Sequence, residues 1–120
     1  MNTEKITPQM QSNLSQIQQI QQQLQSFSVQ KSQIKLMIQE MELSLKEIEN
    51  SKNNEDDIYK IIGDLIFKSK KEIIKKELDE KIESMKIREQ TIQRQEERLT
   101  NRFKQLQEQL RSMIKEKEKE

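Results

Sequence analysis

The chain has 120 residues, of which 31% are hydrophobic and 36% are charged, with one glycine and one proline. A compact domain of this size is usually about half apolar and needs many turn residues, so this composition predicts long helices joined by very few turns. The absence of cysteine and histidine excludes disulfides, the usual zinc sites and catalysis by an imidazole.

The charge and hydropathy patterns exclude several kinds of partner. A net charge of +1 gives no overall attraction to nucleic acid or to an anionic membrane. No stretch approaches the roughly 20 apolar residues of a membrane span, and the first ten residues lack the pattern of a signal peptide. We therefore expect a soluble, cytoplasmic protein that is not an enzyme and binds no metal, cofactor, membrane or nucleic acid.

The first predicted helix extends over residues 8–50. Thr7 suits the N-cap and Pro8 the first turn, and no further glycine or proline occurs before the helix ends. Apolar residues recur in alternating steps of three and four, which is the seam of a coiled coil with one charged member, Lys31. The members of this first seam are Ile17, Ile20, Leu24, Phe27, Lys31, Ile34, Ile38, Met41, Leu45 and Ile48.

A β-hairpin is predicted over residues 58–68. The polar residues 50–57 favour turns and end the first helix. Two β-branched and aromatic runs then flank Gly63 and Asp64, which predicts a two-residue turn of type I′ or II′. Such a turn pairs Ile62 with Leu65 and puts large apolar side chains on both faces. One face carries Ile58, Ile62, Leu65 and Phe67, and the other carries Tyr59, Ile61 and Ile66.

The second predicted helix extends over residues 70–116. Ser69 and Glu72 match a capping box at its start, and no glycine or proline follows. Its apolar residues again recur in alternating steps of four and three, so this helix also carries a coiled-coil seam. The members of this second seam are Leu78, Ile82, Met85, Glu89, Ile92, Glu96, Leu99, Phe103, Leu106, Leu110 and Met113.

The two seams predict one register if the chain folds back on itself. Paired residue numbers then sum to 126 or 127, and Lys31 lies opposite Glu96. A slip by one heptad would place Lys31 opposite Glu89 or Phe103 instead. The two charged residues form either a buried ion pair or two long side chains that reach past the seam to water. Other predicted pairs are Ile48 with Leu78, Leu45 with Ile82, Phe27 with Leu99, Leu24 with Phe103, and Ile17 with Leu110.

The predicted fold is mainly α, a single domain over residues 1–120. A long antiparallel two-helix coiled coil, about 60 Å long at roughly 1.5 Å per residue, has the β-hairpin at its turn and both termini at the other end. An isolated hairpin is marginally stable in water, and this one has apolar faces and two edges. We therefore expect hairpins of several subunits to pair into a closed or stacked sheet. The predicted assembly residues are Ile58, Tyr59, Ile61, Ile62, Gly63, Leu65, Ile66 and Phe67.

The hairpin residues 58–66 and the helix residues 88–99 carry a resemblance to a known family, which residues 28–31 support and which covers nearly the whole chain. These segments resemble the beta subunits of prefoldin (GimC), most closely the archaeal type. The resemblance implies a hetero-hexamer with two alpha and four beta subunits, whose double β-barrel base carries six coiled-coil arms. It also implies that the arm tips bind unfolded proteins without ATP and transfer them to a group II chaperonin.

The end of the coil that carries both termini is the candidate client-binding site under this resemblance. The first seam continues there more loosely through Asn13, so we expect the coil to fray. The apolar residues at this end either complete the core or contact an unfolded chain, for which adaptable Met and Ile side chains are suited. The candidate client-binding residues are Ile6, Met10, Leu14, Met113 and Ile114.

The alternative function is that of a structural or tethering coiled-coil subunit in a cytoskeletal or vesicle complex. A tether needs only the two seams, whereas a hairpin with two apolar faces requires neighbouring subunits to cover it. A nucleic-acid architectural protein would carry a basic stripe, but the arginines of residues 88–102 alternate with glutamates. The hairpin therefore favours the chaperone subunit over the tether.

Overall fold

The computed structural model describes residues 6–51 and 57–119 of the chain. Residues 52–56, in the predicted turn segment, lie outside the described residues. The elements are helix α1 (Pro8–Asn50), strand β1 (Asp57–Ile62), strand β2 (Leu65–Lys70) and helix α2 (Lys71–Glu118). Two long helices flanking an antiparallel hairpin confirm the predicted mainly α fold.

The residues group into two compact units. The terminal unit comprises Met1–Lys31 with Thr91–Glu120, and the hairpin unit comprises Ser32–Gln90. Each unit contains part of α1 and part of α2, so a two-helix packing can be described within each.

Both ends of α1 are capped by short polar side chains. The N–H of Met10 donates a hydrogen bond to Thr7 Oγ1 at 3.1 Å, which confirms Thr7 as the N-cap before Pro8. At the other end, the Ser51 hydroxyl donates to the carbonyl oxygen of Ile48 at 2.9 Å. Because the last carbonyls of a helix have no partner within it, this bond satisfies one of them.

The backbone φ angles at Gly63 and Asp64 identify the type of the hairpin turn. Gly63 has a φ of +58°, and no other described residue has a positive φ. A type I′ turn needs positive φ at both central residues, whereas a type II′ turn needs it only at the first. Since Asp64 follows with a negative φ, the signs select type II′ of the two predicted turns. The predicted pairing of Ile62 with Leu65 is confirmed, and Ile61 pairs with Ile66 next to it.

The start of α2 differs from the prediction. Ser69 lies in β2 opposite Ile58, and Lys70 lies opposite Asp57, so the strand runs directly into the helix at Lys71. The predicted capping box at Ser69 is therefore wrong. The reason is that backbone pairing continues past the last apolar residue of the strand, and the ladder places Ser69 before the helix rather than at its cap. Glu72 still lies in the first helical turn, where a negative charge is favourable.

In the terminal unit the two seams pack in antiparallel order. Ile17, Ile20 and Leu106 form a buried cluster. Partly buried residues that pack against it are Leu24, Leu99, Phe103 and Leu110. The Lys31 ammonium donates a hydrogen bond to Glu96 Oε1 at 2.6 Å, which confirms the predicted pair.

In the hairpin unit some of the seam residues are buried, and one further buried residue was not predicted as a seam member. Ile34, Ile38 and Ile82 are buried as expected. Ile74 is buried too, although it lies four residues before Leu78, where the alternation would require a step of three. An ion pair at 3.4 Å between Lys86 and Glu42 joins the helices and follows the same antiparallel order.

Candidate functional site

The hairpin exposes large apolar side chains on both of its faces. Their exposed fractions lie between 47% and 72%. They are Tyr59, Ile61, Ile62, Leu65, Ile66 and Phe67. Contiguous exposed apolar surface of this kind marks an interaction site in most proteins. The structure therefore brings all the predicted assembly residues except the half-buried Ile58 together on one exposed ribbon, and their role in assembly stays a prediction.

The root of the hairpin is attached to the helices of its own unit. Ile58, the first apolar residue of β1, is half-buried and lines a small cleft of about 220 Å³ with Ile48, Ile74 and Leu78. The apolar burial at Ile58 contrasts with the exposure of Ile62, which lies on the same face at the turn end. One end of this face thus packs on the chain itself, and the other end is left for something else to cover.

An ion pair holds the same end of the hairpin. The Lys60 ammonium donates to Glu77 Oε2 of α2 at 2.7 Å, and both side chains remain partly exposed. The hydrogen bond from Lys60 and its positive charge lower the pKa of the Glu77 carboxyl, and the charge of Lys81 lowers it further. This pair positions β1 against the first turns of α2 at neutral pH.

The edges of the hairpin have no strand beside them within the described part of the chain. The sheet there consists of β1 and β2 alone, so each strand has one edge that no other described strand pairs with. Free strand edges pair readily with strands of another chain. The hairpin therefore combines two kinds of unsatisfied surface, apolar faces and backbone edges, in a dozen residues.

The candidate client-binding residues divide into two groups. Ile6 and Ile114 are exposed, at 55% and 45%. Met10 is buried, with only 7% of its surface exposed, while Leu14 and Met113 are half-buried. The structure thus places three of the five in or beside the seams and leaves two on the surface of the terminal unit. Their role in binding clients stays a prediction.

Asn13 is the buried polar residue of the terminal unit. Asn13 is only 4% exposed, and its Oδ1 has no hydrogen-bond partner among the residues that the structure describes. Met10 and Ile17, its neighbours along the seam, are both buried. A buried acceptor without a donor destabilises the folded state, typically by about 1–3 kcal/mol. The seam is therefore weakened at this point.

The other polar position of the same seam is satisfied. The Lys31 ammonium donates both to Glu96 Oε1 and to Gln93 Oε1, at 2.6 Å and 2.8 Å. The Lys31 and Glu96 side chains are 22% and 18% exposed, so they form a largely covered ion pair rather than reaching separately to water. The ion pair of the first predicted arrangement is present, although both side chains stay partly exposed rather than buried.

Comparison with known proteins identifies the family. A family model described as "Prefoldin subunit" matches residues 11–117. The chain belongs to the prefoldin family. It is 42% identical over 112 residues to the prefoldin subunit beta of Methanosarcina acetivorans, covering 93% of this chain and 95% of that protein. It is 44% identical over 110 residues to the prefoldin subunit beta of Methanococcoides burtonii, covering 92% and 93%.

A solved structure agrees with these relatives. The crystal structure of the prefoldin beta subunit from Thermococcus strain KS-1 matches with a TM-score of 0.83 at 37% identity, covering 92% of this chain and 96% of that one. The resemblance predicted from the hairpin and second-helix residues is therefore confirmed. Membership of the prefoldin family makes the chain a chaperone subunit that assembles with other prefoldin subunits.

Outside the seams, the prefoldin helix α1 carries exposed apolar residues that the sequence analysis did not single out. Leu36, Met37 and Leu43 in the hairpin unit are exposed, at 44% or more. Leu36 and Leu43 are seven residues apart and fall on the helix face opposite the seam, so the heptad numbering could have found them. No helix among the described residues is both long and apolar enough to cross a membrane.

Proposed function

We propose that the chain is the beta subunit of a cytoplasmic prefoldin hexamer with two alpha and four beta subunits. The assembly holds unfolded polypeptides without ATP and transfers them to a group II chaperonin. The observation that carries the proposal is the hairpin, whose six large apolar side chains are exposed at 47–72%. The beta-type relatives named above support the same assignment.

Assembly through the hairpin follows from what a single chain leaves uncovered. Burying one large apolar side chain stabilises by about 1.5–3 kcal/mol. Side chains on both faces of a two-stranded ribbon can be buried together only when other subunits lie against the faces and edges, as in a closed barrel. A tethering coiled coil requires only the two seams and not such a ribbon, so the hairpin argues against the alternative function.

Client binding at the terminal unit is supported by its apolar residues. Ile6 and Ile114 are exposed on that unit, and Met10, Leu14 and Met113 lie in or beside the weakened part of the seam. Methionine side chains adapt to partners of varied shape. Several arms acting on one unfolded chain raise the avidity even when each contact is weak.

Independence from nucleotide is supported by the sequence. Phosphate-cradling loops need several glycines, whereas the one glycine of this chain forms the hairpin turn. Holding then requires only apolar contact. Transfer to a group II chaperonin is supported by the family resemblance, and it is tested separately from holding.

The test is suppression of aggregation by the reconstituted assembly. The chain is mixed with an archaeal prefoldin alpha subunit, and light scattering of a chemically denatured protein is followed after dilution, with and without ATP. We expect suppression at stoichiometric amounts that ATP does not change. Absence of suppression, or a requirement for ATP, contradicts the proposal. Addition of a group II chaperonin with ATP should then release the client in native form, and retention of the client would contradict the transfer step alone.

A further inference from the structure

The two polar residues of the first seam in the terminal unit are treated differently by the fold. Lys31 has two acceptors within 2.8 Å, so its charge is satisfied. Asn13 is more than nine-tenths buried, and its Oδ1 accepts no hydrogen bond from the described part of the chain. The register fixed by Lys31 and Glu96 places Asn13 level with Met113, whose thioether has no hydrogen to donate. The α2 residue at that level therefore cannot satisfy the oxygen.

Separation of the two helices removes this penalty. Once the helices part, the Asn13 amide gains hydrogen bonds from water or from the backbone N–H groups of another chain. The segment of α1 before Ile17 is about ten residues long and lies at the helix end. Because most of the stability of a helix in a protein comes from the packing of its apolar face, and helix ends fray first, the helical hydrogen bonds of this segment open more readily once α2 no longer covers it.

We propose that Asn13 is a built-in weak point at which the two helices of the terminal unit open. Opening exposes Met10 and Ile17, which are buried in the closed state, and adds them to the exposed Ile6 and Ile114 as apolar surface for a client. The opened terminal unit binds apolar segments of unfolded polypeptides. This choice of ligand rests on the proposed function of holding such chains. The Asn13 amide oxygen then accepts a hydrogen bond from a backbone N–H group of the bound segment.

The closed state covers part of the apolar surface of the terminal unit. In the terminal unit Met10 is covered, and Leu14 and Met113 are half-covered. A leucine at position 13 would continue the seam without interruption and keep these residues covered. Asn13 therefore makes the coil less stable and makes the apolar surface of the terminal unit easier to expose.

The first test measures opening without any client. Hydrogen exchange is followed by mass spectrometry on the assembly with its alpha partner, for the parent chain, for Asn13→Leu and for the control Asn101→Leu. Asn101 is an exposed residue of α2 in the same unit, so the control adds the same side chain outside the seam. We expect exchange in residues 8–20 to slow by roughly five- to a hundredfold in Asn13→Leu. The control should leave it unchanged.

The second test measures holding with the same three assemblies. We expect Asn13→Leu to need several-fold more assembly than the parent to suppress aggregation, and Asn101→Leu to match the parent. Equal exchange rates in the parent and Asn13→Leu overturn the proposal, as does slower exchange with undiminished holding. A changed mass of the Asn13→Leu assembly also overturns it, because Asn13 would then set the oligomeric state. A parent that holds no client contradicts the proposed function, and the exchange comparison still decides whether Asn13 governs opening.

Discussion

The hairpin and the terminal unit use apolar side chains in opposite ways. On the hairpin, large apolar residues lie on both faces of a two-stranded ribbon, and six of them are exposed at 47–72%. In the terminal unit most apolar residues are covered by the partner helix, and the seam is interrupted by an unsatisfied Asn13. The first arrangement suits permanent burial by other subunits. The second suits a surface that opens and closes.

The difference shows why the same composition serves two roles. A hairpin has too few residues to bury its own faces, so its apolar groups are satisfied only from outside. Two amphipathic helices cover each other, and an interaction surface appears there only if the packing is locally weak. The polar contacts differ as well. Lys60 and Glu77 hold the root of the hairpin, whereas in the terminal unit Lys31 pairs with Glu96 but Asn13 Oδ1 has no hydrogen-bond partner among the described residues.

The largest expected effect comes from disrupting the hairpin, the surface that we propose other subunits bury. Replacing Ile61 and Ile66 by lysine puts two positive charges directly opposite each other on one hairpin face. We expect the assembly with the alpha partner to fall to smaller species while the helical content is largely retained, because the seams are untouched. Light scattering coupled to gel filtration measures the mass, and circular dichroism measures the helix content.

The matched control for this variant is the pair Leu36→Lys and Leu43→Lys. These residues are equally exposed and apolar but lie on the outer face of α1. The control chain should assemble like the parent. An unchanged mass for the hairpin variant would show that exposed apolar residues there do not drive assembly.

The next largest effect is expected when the apolar residues of the terminal unit are removed and the hairpin is kept. A chain lacking residues 1–10 and 113–120 loses Ile6, Met10, Met113 and Ile114 but keeps the hairpin. We expect holding of unfolded protein to fall to background while the mass of the oligomer decreases only by the residues removed. Aggregation suppression and light scattering report the two properties separately. A trimmed assembly that still holds clients would place binding elsewhere on the arms.

Much of this division can be predicted from the sequence. Steps of three and four give the two seams, the Gly63 turn gives the hairpin, and the opposite charges of Lys31 and Glu96 give the register. Each depends on local spacing or on a pair of charges. The exposure of the hairpin faces follows as well, because two paired strands alone cannot bury their own apolar faces.

Other features depend on tertiary packing and could not be predicted. The burial of Met10 beside the exposure of Ile6 depends on where the partner seam covers the helix, which one periodicity does not specify. Ile74 breaks the alternating steps and is buried because β1 and the end of α1 lie close to it. The place of Ser69 in β2 depends on backbone pairing, to which side-chain hydropathy gives no guide.

A smaller effect sharpens the contrast between the two polar seam positions. Lys31→Ala leaves the Glu96 carboxylate largely covered and without its cation, so we expect a loss of about 1–3 kcal/mol in the free energy of unfolding. The double variant Lys31→Leu with Glu96→Leu should recover most of it, because two apolar residues satisfy each other. Denaturant unfolding of the assembly measures both. Equal stability of Lys31→Ala and the parent would show that the pair fixes register without adding stability.

The smallest effect concerns the root of the hairpin and its dependence on pH. Lys60 lowers the pKa of Glu77, so the folded chain binds a proton at this carboxyl less readily than the unfolded chain. Stability from the pair is therefore present above the ordinary pKa of a free glutamate and is lost as the pH falls through the lowered pKa. Because both side chains are partly exposed, the effect is small and weakens with added salt. The carbon chemical shift of the Glu77 carboxyl, followed by NMR across acidic pH, should titrate below the range of a free glutamate in the parent and return toward it in Lys60→Met. A titration that is the same in both chains would mean that Lys60 does not hold β1 against α2 in solution, and the hairpin would then depend on neighbouring subunits at its root as well as at its turn.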